Sequence, residues 1–105
     1  MADLLAELDA LDTLVTDFGT GMTKKNPLFA QVEELRSDLG EALAKARQIA
    51  ANSATPLFIH GNTTLVQVNK KLQEDIHDLA SFEANIEAIK GVIDSATEFL
   101  AIFAP

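Results

Sequence analysis

Between Leu65 and Phe103 apolar residues return every seven positions with almost no interruption. One line of the repeat reads Leu65, Leu72, Leu79, Ile86, Ile93, Leu100. Its partner line reads Val68, Asp75, Phe82, Ile89, Ala96, Phe103, in which only Asp75 is polar. No proline falls in the run. Two apolar lines with a period of seven mark a helix that packs on other helices. The repeat predicts an all-α chain whose C-terminal helix is long, spanning about residues 63–103.

Two further helices precede it. Asp3 is a candidate N-cap, and Leu4, Leu8, Leu11, Val15 and Phe18 follow on one stripe, which predicts a helix over about 3–19. Asn26 and Pro27 form a start signal for a second helix over about 27–52, with Leu28, Val32, Leu35, Leu39, Ala42, Ala46 and Ile49 as its stripe and Leu43 widening it. The expected architecture is a single domain over residues 1–105, an antiparallel bundle of three helices. The alternative is a four-helix bundle with a bend near Ala80-Ser81, where neither Gly nor Pro marks a break.

Helix lengths carry the functional expectation. At 1.5 Å per residue the second helix reaches ~39 Å and the third ~60 Å. A neighbour of the shorter length covers the long helix only to about residue 88. Ile89, Val92, Ile93, Leu100 and Phe103 would then overhang. Leaving such side chains wet forgoes ~1.5–3 kcal/mol each, a total comparable with the stability of a small domain. Cover must come from helix one, a second subunit or a bend. The first interaction candidates are therefore Ile89, Val92, Ile93, Phe99, Leu100 and Phe103. Phe58 and Ile59 come next, because the connection Pro56-Leu57-Phe58-Ile59-His60-Gly61 is apolar where a loop is normally polar. Thr64 followed by Gln67 has the capping-box spacing and places the start of the third helix near 62–64.

Composition narrows the chemistry. The formal net charge is −8, which opposes binding to nucleic acid or an anionic membrane through a general positive field. The sign is unevenly spread: residues 1–18 hold five acids and no base, and residues 74–105 hold seven acids and only Lys90. There is no Cys, so disulfides, thiolate metal sites and Cys nucleophiles are excluded. No apolar stretch approaches the ~18–20 residues of a membrane span. The N-terminal residues carry no basic n-region, so a cytoplasmic chain is expected, and a leaderless secreted one would read the same.

Two constellations have chemical precedent. Glu74 and His77 have the Glu-x-x-His spacing of helical di-iron sites, but one such motif without inward-facing partners reads as a solvated turn. Asp75 sits in the repeat where a polar residue can fix register. The competing reading is a small rotation that buries Ile76 and exposes Asp75. Nothing marks an activated nucleophile or a phosphate-binding loop. The sequence therefore predicts a non-enzymatic interaction or assembly module with no cofactor, pairing as a homodimer or with another helical protein. The alternative is a small bundle that binds a small ligand or metal in its core.

Overall fold

The first helix, α1 (Ala2–Thr20), forms because Leu4, Leu8, Leu11 and Val15 recur at helical spacing, and each is at most 1% exposed. Asp3, expected as the N-cap, lies within α1, and its side chain is outside the described ones. Gly19 stays within the helix and lets α1 approach the next one closely: a β-carbon there would stand 3.0 Å from the Val32 side chain. The structure is a computed structural model and describes residues 2–49 and 56–103.

Asn26 starts the second helix, as its sequence signal predicts. Its Oδ1 accepts the Leu28 N–H at 2.9 Å, and its carbonyl accepts the Phe29 N–H at 3.0 Å. Helix α2 runs over Phe29–Ile49 and buries Val32, Leu35, Leu39, Ala42, Leu43, Ala46 and Ile49, with Leu28 partly covered just ahead of it. The part of the expected span that reaches 52 lies outside the described residues.

The third helix, α3 (Pro56–Glu74), begins well before residue 63. Pro56 opens it, since a proline at the first helical position loses no hydrogen bond. The apolar stretch expected to be a connection is therefore the first turns of α3. The Thr64–Gln67 capping box does not form. Thr63 and Thr64 instead donate their hydroxyls to the carbonyls of Ile59 (2.9 Å) and His60 (3.0 Å), as they do in a helix interior.

The long helix over 63–103 is not continuous. The Asp75 N–H reaches back to Lys71 and Leu72 at 3.3 and 3.2 Å, and there α3 ends. Asp78 then takes an extended conformation (φ −151°, ψ 176°) and caps α4 (Leu79–Ala84). Its Oδ1 accepts the Ser81 N–H at 2.7 Å, while Ser81 Oγ accepts the Asp78 N–H at 3.0 Å and the His77 N–H at 2.9 Å. Asn85 closes α4, and its carbonyl accepts the Ile89 N–H at 2.9 Å within α5 (Ile86–Phe103). The four-helix alternative is the nearer reading. The break lies at Asp75–Asp78, however, and Ala80-Ser81 falls inside α4.

The capping box gives a pH-dependent prediction. The Ser81 backbone N–H holds the exposed Asp78 carboxyl below its ordinary value of 3.8; the Ser81 hydroxyl adds to this, and His77 contributes less. A carboxyl whose pKa is depressed on folding adds stability above its unfolded value and loses it as pH falls through the folded one. The increment is thus complete at neutral pH and fades below 3.8. Ser81→Ala should lower the Tm by a few degrees at neutral pH. The gap to the parent should narrow when melts are repeated at falling pH; a constant gap would contradict this role for the box.

The long helices form a four-helix bundle. α1 packs on α2 and α3, and α5 packs on the same two from the other side. The start of α2 shares a surface recess with the start of α5 through Gln31, Glu34, Leu35, Ile86, Glu87 and Lys90, so these two helices run the same way. Gly61, early in α3, lies against Phe99, late in α5, so α3 and α5 are antiparallel. The return of α5 removes the overhang: Ile89 and Leu100 are 0% exposed, Ile93 1% and Val92 8%. They belong to the core of this chain. Phe99 and Phe103 are partly buried against it, their rings tilted by 58° with centroids 5.1 Å apart.

Candidate interaction groove between α3 and α5

Helix α3 has two apolar faces, one buried in the core and one only partly covered. Asn62, Val66, Asn69, Leu72 and Ile76 are buried, while Asp75 is exposed. Asp75 and Ile76 lie in the turn past Glu74, so the rotation of α3 is set by its own buried residues Asn62, Val66, Asn69 and Leu72. That rotation carries Leu65 and Val68 outward, leaving Leu65 half-buried and Val68 48% exposed.

The same rotation places two asparagines in the interior. Asn69 Oδ1 accepts from Gln73 Nε2 at 2.8 Å, and Gln73 also donates to Glu7 of α1, at 3.2 Å to Oε2 and 3.4 Å to the carbonyl. Asn69 Nδ2 and Asn62 Oδ1 have no partner. Unmet buried amide groups cost stability, so this face is a poorer core surface than its spacing alone would give. The seven-residue repeat did not reveal it. The second line that could have done so is Asn62, Val66, Asn69, Gln73, Ile76, which alternates steps of four and three.

Opposite the outward face of α3, α5 presents Ala88, Gly91, Val92 and Ser95. A β-carbon on Gly91 would meet nothing within 4 Å. Large residues on one wall and small ones on the other leave an open groove of about 620 Å³. Leu65, Val68, Leu72, Ala88 and Val92 make it apolar, and Thr64, Lys71, Asp75, Asn85 and Ser95 edge it. The α3–α5 seam is also the sparsest of the four side-by-side packings among the long helices.

Glu87, Asp94 and Glu98 are exposed on α5, one helical step outward from the groove residues. None of the three takes part in an ion pair among the described residues, where the pairs are Arg36–Glu33 and His77–Asp78. The second of these, 3.6 Å long and well exposed, contributes little to stability.

One end of the groove is fixed by the fit of Phe99 onto Gly61. A β-carbon on Gly61 would collide with the ring edge and stand 2.9 Å from two further ring carbons. Gly→Ala inside a helix ordinarily gains up to ~1 kcal/mol. Gly61→Ala should instead cost ~1–3 kcal/mol, because the ring must leave its place. Gly40→Ala, where the added carbon meets open space, should give the ordinary gain of ~0.5–1 kcal/mol. Urea titrations of the two variants check the contrast, and a gain at both positions would contradict the Phe99 packing.

Of the residues singled out in sequence, Ile89, Val92, Ile93 and Leu100 are core, and Val92 also forms part of the groove wall. Phe99 and Phe103 sit partly covered near the end of α5. Ile59 is 54% exposed near the start of α3. Phe58 lies in the first turn of α3, and its side chain is outside the described ones. Glu74 and His77 are exposed, and no cluster of three or more His, Cys, Asp or Glu suited to a metal occurs among the described residues. Among these residues no helix is long and apolar enough to cross a membrane. The groove residues Leu65, Val68, Leu72, Ala88, Gly91 and Ser95 were not recognised in sequence. The first three read as core, and small residues at 88, 91 and 95 carry no apolar signal of their own. No protein-family model, no characterised protein and no solved structure matches the chain.

Proposed function

We propose that this protein is a non-enzymatic helical interaction module that receives a helix of a partner along the α3–α5 groove. The observation that carries the reading is the outward apolar face of α3, half-buried Leu65 and exposed Val68, set across from a recess at Ala88 and Gly91. A helix laid there would contribute the large side chains that α5 lacks and complete the repeat begun at Leu65. The interaction site thus moves from the end of α5 to its side. The volume also lies in the range of small-molecule sites, which keeps an apolar ligand as a second reading. An elongated groove open to solvent suits a rod better than a compact ligand.

The test is site-specific photo-crosslinking in cells that make the protein. A crosslinker replacing Val68 in the groove should give a discrete protein adduct. One replacing Gln48, exposed on α2, should not. Equal labelling from both positions, or none from either, would overturn the proposal.

A further inference from the structure

We infer that the occupant of the groove is a basic amphipathic helix from a different protein, about three turns long, and not a second copy of this chain; the inference rests on the groove reading above. Length is set by the lining residues of α3. Thr64 to Asp75 spans eleven steps, or ~17 Å of helix axis. The apolar walls call for large side chains at i, i+3 or i+4 and i+7, directed at the recess over Gly91 and Ala88.

Charge decides between the two occupants. Asp75 edges the groove, and Glu87, Asp94 and Glu98 lie exposed four positions before and three and seven after the groove residue Gly91, Glu87 also lining the recess toward α2. Against these four acids stand two lysines, Lys71 at the groove edge and Lys90 beside Glu87 and Asp94 on α5, so the groove surroundings carry a net −2. The three α5 acids have no ion-pair partner among the described residues and are open to one. A second copy brings another −2 to the same surface and −8 overall, so groove-to-groove pairing sets like charges together. A helix with Lys or Arg on the flank facing α5 meets all three acids at spacings that one helix edge reproduces.

The experiment uses two synthetic peptides of ~16 residues, three turns plus ends. They share one Leu stripe and differ only in Lys/Arg or Glu on the flanks. Binding to the full chain is read by fluorescence anisotropy at about 0.05 and about 0.5 M salt. The basic peptide should bind at least ~10-fold tighter at low salt, with the difference shrinking at high salt. The triple variant Glu87→Gln, Asp94→Asn, Glu98→Gln should lose that preference and keep the residual affinity. The double variant Ala88→Leu, Gly91→Leu fills the recess. It should retain its helical circular dichroism and lose ~10-fold or more in affinity for the basic peptide.

Each contrary outcome has its own meaning. Equal or tighter binding of the acidic peptide, abolished by filling the recess, would overturn the charge inference while leaving the groove reading intact. Failure of both peptides, or unchanged binding to the filled variant, would overturn both. Sedimentation as a dimer that the filled variant loses would identify a second copy as the occupant and overturn the inference.

Discussion

Ile93→Asp leaves the isolated chain unfolded. Ile93 is 1% exposed in the middle of α5, so the substitution removes a packed side chain and puts a carboxylate in its place. Lost packing alone costs ~2–5 kcal/mol. Burying a charge without a partner adds several more. The sum reaches the ~5–15 kcal/mol that hold a domain of this size together. Far-ultraviolet circular dichroism of the dilute variant should show loss of helix. Val68→Asp, made at a position 48% exposed, should keep the parent spectrum and serves as the control. A well-folded Ile93→Asp monomer would mean that 86–103 is the uncovered arm that helix length alone suggests.

Phe82→Ala should be the next most damaging single change. Phe82 is the buried residue of α4, 0% exposed, and stacks on Phe18 of α1 with ring centroids 4.9 Å apart and planes 14° apart. A large aromatic reduced to a methyl group in a closed site costs ~3–5 kcal/mol. The ring pair accounts for ~0.5–1.5 kcal/mol beyond area burial. The Tm should fall by ~15 °C or more. Phe82→Leu should recover much of the loss, because it keeps the volume and gives up the ring stacking. The segment matters beyond its length because α4 carries the chain from the end of α3 into α5, and Phe82 anchors it to the bundle. Thermal melts of the two variants decide the matter, and a small effect in both would show that α4 is not pinned by this contact.

How much of this was legible in the sequence depended on which force set each element. α2 was legible almost residue by residue, since Asn26 marks its start and a single stripe from Val32 to Ile49 is what the core takes up. The turn at Asp75–Asp78 was hidden because Leu79, Phe82 and Ile86 keep the apolar spacing across it. Periodicity does not register a break that preserves its own period. The visible signal was Asp78 followed three residues later by Ser81, a start signal inside an apparently unbroken helix. The uncovered length of a straight 63–103 helix supplied the driving force. Five wet side chains at ~1.5–3 kcal/mol each outweigh the few hydrogen bonds that a turn gives up. The chain meets that demand by folding back, which covers Ile89, Val92, Ile93 and Leu100. The groove was hidden for a different reason. Its existence depends on α3 placing Asn62 and Asn69 inward, against polarity, and so releasing Leu65 and Val68. Polarity patterns favour the opposite rotation. The neighbouring pair Asp75 and Ile76, exposed and buried in turn, lies past the end of α3 and does not set its rotation.

The central claim is that the chain reverses between α3 and α5 and brings them side by side. Nitroxide labels on Thr63→Cys and Glu98→Cys, in a chain with no native cysteine, test it by pulsed dipolar spectroscopy. Both positions are exposed, on adjacent antiparallel helices and at nearly the same level, given that Gly61 meets Phe99. Helix axes ~10 Å apart, with label arms added, predict a narrow distribution centred near ~20 Å. A continuous helix would separate the same residues by ~52 Å, and a distribution centred there would contradict the fold and the groove together.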